Sequence, residues 1–152
     1  MEHAKLIETA LAGYLIGKPF PDSLKNEAGT YRIFAGASEE EKDGQVIIAS
    51  CGQDLQEEPT FSANYWAECS VELRTPISLP VDGDTEDVSL TIHDAAATVL
   101  RAAILDDGII AALNQTSGIY VYAILNRNPS RDQQQNYHSS GYTFRLYSCQ
   151  TN

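Results

Sequence analysis

Tyr65-Trp66-Ala67-Glu68-Cys69-Ser70-Val71-Glu72-Leu73-Arg74 alternates with a period of two. Tyr65, Ala67, Cys69, Val71 and Leu73 fall on one side of an extended chain. Trp66, Glu68, Ser70, Glu72 and Arg74 fall on the other. That is the pattern of a half-buried strand with a polar second face, and Pro76 and Pro80 close it.

Downstream, the acidic turn 81–87 suits the start of a helix, where unpaired N–H groups and the dipole favour negative charge. The helix is predicted over Ser89–Leu105. Leu90, His93, Ala97, Leu100 and Ile104 form one stripe, widened by Ala96, Val99 and Ala103. Asp106-Asp107-Gly108 breaks it, and a short helix, Ile109–Asn114, follows. Gly118–Leu125 and Tyr142–Cys149 read as the last two strands, joined by a polar connection, Asn126–Ser140, long enough to be functional or mobile. Upstream, residues 4–16 carry Leu6, Ile7, Ala10, Leu11, Tyr14 and Leu15 at helical spacing, stopped by Gly17, Pro19 and Pro21. Tyr31–Ala35 and Gln45–Cys51 read as a hairpin around the turn 39–44. Residues 52–63, with Pro59, read as a polar loop. The expected fold is a single α+β domain over residues 1–152. Its order is α-β-β-β-α-β-β, with a mostly antiparallel five-stranded sheet and the N-terminal and central helices packed on one face.

Two helices leave the second face of such a sheet to be accounted for. Ile119, Val121, Ala123 and Leu125 are predicted on one side of their strand, with Tyr120, Tyr122 and Ile124 on the other. Tyr142, Phe144 and Leu146 oppose Thr143, Arg145 and Tyr147 in the last strand. Tyrosine, tryptophan and arginine among charged groups have the composition of a protein interface. Trp66, Tyr120, Tyr122, Arg127, Arg131, Arg145 and Tyr147 are therefore the candidate subunit interface; the alternative is that the aromatics pack beneath loops of their own chain. A homo-oligomer is the expected form, symmetric self-assembly being the common case.

The chain has 152 residues and a net charge of −11. Residues 39–87 hold thirteen acids against Lys42 and Arg74, while the segments on either side balance. Such a block repels phosphate, which disfavours tight nucleic-acid binding. Glu39, Glu40, Glu41, Asp43, Glu57 and Glu58 are the candidate acidic surface. The first residues lack the features of a signal peptide, and no apolar run is long enough for a membrane span. Cys51, Cys69 and Cys149, odd in number and widely spaced, read as reduced thiols of a cytosol-type protein. The Asn114-Gln115-Thr116 sequon carries no meaning without secretion.

No phosphate-cradling glycine loop and no nucleophile elbow occurs. His3, His93 and His138 lie in three different elements without zinc-ligand spacing. His93 on the helix stripe reads as a hydrogen-bonded boundary residue. The acids of 82–87 fail the calcium-loop pattern, since Asp87 and His93 stand where glycine and glutamate are required. His138 and Cys149 lie eleven residues apart, and a buried thiol with a loop histidine is the simpler account. Among so many acids no carboxylate pair stands out. No catalytic, cofactor or metal site is assigned.

The N-terminal helix, the hairpin 31–51, the alternating strand 65–74, the helix around His93-Asp94-Ala95-Ala96-Ala97-Thr98-Val99-Leu100 and the closing strands 119–125 and 142–146 together resemble the tail-terminator or tail-completion (neck) proteins of long-tailed bacteriophages. The resemblance covers most of the chain and transfers no functional residue. It implies a structural protein of the virion, assembled in the host cytoplasm. Such a protein forms a ring, typically a hexamer, that caps the tail tube and joins it to the head connector. Its partners would be itself, the tube and the connector, with the acidic block at a second surface or lining the bore. The competing expectations are a small cytosolic ligand-binding or enzymatic α+β domain, and a related neck or minor tail component.

Overall fold

A computed structural model describes residues 2–36, 44–52, 55–56, 64–77, 88–134 and 136–151. Helix α1 spans Glu2–Ile16, α2 Val88–Ile104 and α3 Ile109–Leu113. The strands are β1 (Ile33–Ala35), β2 (Val46–Cys51), β3 (Leu55–Gln56), β4 (Asn64–Pro76), β5 (Ile119–Gln133) and β6 (Tyr137–Gln150). They form one sheet in the order β1-β2-β4-β6-β5, with the two-residue β3 also paired to β4. The architecture is α+β and the sheet mostly antiparallel.

The alternating segment lies at its centre. β4 pairs with β2 through Ala49↔Val71 and with β6 through Cys69↔Phe144. Ala67, Cys69, Val71 and Leu73 are buried as their periodicity predicts, opposite buried Tyr142, Phe144 and Leu146. The three α-helices of the described residues cover this one face. α1 inserts Ile7, Leu11 and Leu15, α2 adds Ala96, Leu100 and Ile104, and α3 adds Ile109 and Leu113, all in a single apolar core. Each large aliphatic side chain sealed there contributes about 1.5–3 kcal/mol. The Tyr14 hydroxyl ties the helices together by donating to the Ala103 carbonyl at 2.7 Å, and its burial raises its pKa.

Four expectations are corrected. β1 and β2 are parallel, with Ile33↔Ile47 and Ala35↔Ala49, so they do not form a hairpin; a parallel pair needs a crossover. Residues 126–140 are largely strand rather than loop. β5 and β6 continue as a ribbon to Gln133↔His138, and the polar residues of β5 hold their place by pairing with β6. The alternation of β5 is broken by a register shift between Val121 and Ala123. One extra residue turns the following side chains over. Ile119, Val121 and Ile124 are buried, while Tyr120, Tyr122 and Leu125 are exposed. The segment 52–63, read as a loop, also contributes β3.

Candidate interaction surface and a buried polar chain

On the face of the sheet opposite the helices, aromatic rings form a ladder across β4, β6 and β5. Trp66 lies 4.6 Å from Tyr147 between ring centroids. Tyr147 lies 5.3 Å from Tyr122, and Tyr122 packs edge-on to Tyr120 at 5.0 Å. These separations suit attractive ring geometry. Register explains the first contact, because Trp66 and Tyr147 are direct cross-strand partners. The bulge explains the second. Val121 faces Ser148 and Ala123 faces Tyr147, so Tyr122 has no partner residue and its ring leans onto Tyr147. The Tyr122 hydroxyl donates to Cys149 Sγ at 3.3 Å, and this bond raises the phenol pKa. The Arg145 guanidinium stacks 4.8 Å from the Trp66 ring, with Nε 3.0 Å from Glu68 Oε1. Tyr120 and Tyr122 each remain 47 % exposed, and Leu125 beside them 45 %. The rings are therefore stacked on each other yet open to a partner.

Trp66, Tyr120, Tyr122, Arg145 and Tyr147 thus come together. Arg127 and Arg131 do not join them. Arg127 Nη1 donates to the Ile104 carbonyl at the end of α2 at 3.2 Å, where a cation meets the negative pole of the helix. Arg131 Nη2 bonds Asp94 Oδ1 on α2 at 2.6 Å. Both clamp the ribbon to its own helix. Glu39, Glu40, Glu41, Asp43, Glu57 and Glu58 lie outside the described residues, as does the acidic turn 81–87.

Beneath α2 runs a buried chain of polar groups that the sequence pattern announced only at His93. Ser23 Oγ donates to Gln45 Oε1 at 2.7 Å. Gln45 Nε2 donates to Thr75 Oγ1 at 2.8 Å. Thr75 Oγ1 meets His93 Nδ1 at 2.7 Å, and His93 Nε2 meets Ser140 Oγ at 2.7 Å. His138 follows, its ring 5.7 Å from that of His93 and its Nε2 3.2 Å from Ser89 Oγ. His93 is 0 % exposed, and burial, then the neighbouring His138 and Arg131, lower its pKa to about 4. Thr75 Oγ1 accepts from Gln45 and keeps a proton and a second lone pair, so either neutral tautomer of His93 completes the chain from Thr75 to Ser140. The chain ties α2, through His93, to β4 at Thr75 and β6 at Ser140. An open groove of about 360 Å³ lies alongside, lined by Asp94, Arg101, Arg131 and Ser140 among others.

No group of three metal-ligating side chains occurs among the described residues, and no helix there is long and apolar enough to cross a membrane. No protein-family model matches the chain, and a search of curated proteins finds no match.

Proposed function

We propose that this protein is a structural assembly subunit. It would use the aromatic face of its sheet to grip copies of itself or a neighbour, in the manner of a phage tail terminator that closes as a ring on the tail tube and meets the head connector. The observation that carries the reading is the ladder Trp66–Tyr147–Tyr122–Tyr120, stacked ring on ring, edged by Arg145 and Glu68, on the face that none of the described helices covers. Rigid aromatic side chains already held in place lose little conformational freedom on contact, which is the property of interface anchors. The acidic block 39–87, with Glu39, Glu40, Glu41, Asp43, Glu57 and Glu58 as its candidate surface, would supply a second surface or face a bore through which DNA slides by like-charge repulsion.

The test is solution mass and electron microscopy of the protein, alone and with its genomic neighbours, for the native chain and for Trp66→Ala/Tyr122→Ala. A closed ring, formed alone or on a tube and lost in the double variant while the variant stays folded, is the expected result. A native chain that remains monomeric in both settings overturns the reading. So does a monomer that takes up a small molecule in the groove beside α2, which would favour the ligand-binding alternative. The bore role has its own test, DNA retention after Glu39, Glu40 and Glu41 are all changed to lysine. Retention should fall, and an unchanged value removes these residues from the bore.

A further inference from the structure

Cys51 and Cys69, widely spaced in the sequence, are set opposite one another by the sheet. β2 and β4 pair antiparallel with Cys51↔Cys69 in register. The hydrogen bonds give the phase of that pair. The Gly52 amide donates to the Glu68 carbonyl at 2.8 Å. The Cys51 amide turns away from β4 and donates to Glu8 Oε2 of α1 at 2.9 Å. Cys51 and Cys69 therefore occupy a non-hydrogen-bonded position of the ladder. Backbones approach most closely there, with Cα atoms about 4.5 Å apart and the side chains on the same face. That spacing lies within the range a disulfide accepts, about 4.4–6.8 Å. The thiols already touch, with Cys69 Sγ 3.9 Å from Cys51 Sγ. Closing that gap to a bond of about 2.05 Å needs side-chain movement and no change of register.

Access is unequal between the two. Cys69 is buried, whereas Cys51 is partly exposed. Gly52, which follows Cys51, carries no side chain to screen that end of β2. The third cysteine, Cys149, lies across the sheet at the aromatic ladder, bonded to the Tyr122 hydroxyl.

We propose that Cys51 and Cys69 are a dithiol–disulfide pair, oxidised by low-molecular-weight disulfides, with Cys51 the entry thiol and Cys69 the resolving one. The Cys51 thiolate attacks one sulfur of the incoming disulfide. A Cys51–S bond forms, the S–S bond breaks, and one thiol is released. The Cys69 thiolate then attacks Cys51 Sγ, forming the Cys51–Cys69 bond and displacing the second thiol. The protein loses two electrons and two protons, and the small disulfide becomes two thiols. The product pins β2 to β4 and closes a ring over residues 52–68 beside the contact between Glu8 and Cys51. A reducing compartment keeps the pair open and an oxidising one closes it. This inference stands independently of the assembly reading.

Oxidised glutathione is the probe, applied to the folded full-length chain at mildly alkaline pH. Thiols are then alkylated after unfolding, and peptides are mapped by mass. The expected product carries a Cys51–Cys69 cross-link and a single remaining reactive or glutathionylated cysteine, Cys149. Its unfolding midpoint rises by roughly 6–12 °C, as closure of a ring of this size implies, and dithiothreitol reverses the rise. Cys149→Ser should respond like the native chain. Cys69→Ala should stop at a glutathione adduct on Cys51, with no rise in the midpoint. Three outcomes overturn the proposal: a pairing that involves Cys149, a native chain that stops at the Cys51 adduct, or a folded chain that modifies Cys149 while Cys51 and Cys69 stay reduced.

Discussion

The buried His93 makes the folded protein sensitive to acid in a way that can be worked out in advance. Its pKa falls from the ordinary 6.5 to about 4 on folding. The unfolded chain therefore binds a proton at a pH where the folded chain does not, and stability must fall as pH falls. The contribution is fully present above pH 6.5 and is lost progressively as pH drops towards 4. Each pKa unit is worth about 1.36 kcal/mol, so the loss approaches about 3 kcal/mol across the window. For a chain of this size that lowers the unfolding midpoint by roughly 6–12 °C. The groups facing the ring all enter the balance. His138 on β6 and Arg131 on β5 disfavour the charged form, Asp94 on α2 favours it, and Thr75 and Ser140 occupy both ring nitrogens. Many carboxylates titrate in the same range, so the informative quantity is the difference between the native chain and His93→Gln. Urea unfolding at steps from pH 7.5 to 4 should show the variant less stable at neutral pH, with the gap closing by about 3 kcal/mol on acidification. Parallel stability curves for the two proteins, or a His93 proton titrating near 6.5 in the folded state by NMR, would refute the reasoning.

Two smaller perturbations test other parts of the fold. Gly141 sits opposite Glu72, where an added Cβ would run into the Val71 carbonyl oxygen of β4. Gly141→Ala should lower stability in denaturant titration by about 1–3 kcal/mol, because two central strands must move apart. Arg131→Ala removes a bond to Asp94 whose partners are 58 % and 51 % exposed. The loss should stay below about 1 kcal/mol and vanish in high salt, since solvent screens exposed pairs.

The parts of this fold that could be read from the sequence are those where apolar and polar residues contrast. In β4 small apolar residues alternate with charged ones, and Ala67 to Leu73 fall where the period puts them. In β5 the stretch Ile119 to Leu125 is apolar on both sides, so periodicity carries no mark of the bulge that sends Ile124 inward and Leu125 outward. The parallel pairing of β1 with β2 was equally hidden. Hydrophobic pattern records which face is buried and not which way the chain runs, and the acidic turn-like segment between them imitates a hairpin. Residues 126–133 of β5 have poor strand propensity, and partners far along the chain override it: β6 on one side, and α2 through Arg127 and Arg131. Composition alone groups those arginines with the aromatic rings, and composition does not tell which layer a side chain serves.

The bulge also separates folding from the proposed contact, because one residue serves the surface and nothing beneath it. At this bulge Tyr122 is the residue without a cross-strand partner; Val121 before it and Ile124 after it are both buried. Deleting Tyr122 would restore strict alternation. Val121 would stay inward, Ala123 would turn outward, and Ile124 would keep its inward position, so the core loses no apolar side chain. The ladder would lose its middle ring, and Tyr120 would be cut off from Tyr147. The deletion should therefore fold with near-native stability, as judged by thermal unfolding, yet fail to assemble as judged by solution mass. A protein that lacks Tyr122 and still forms the native assembly would show that the ladder is not the gripping surface. A protein that cannot fold without it would show that the bulge is needed to shape the β5–β6 ribbon, and the two roles could not then be separated at this residue.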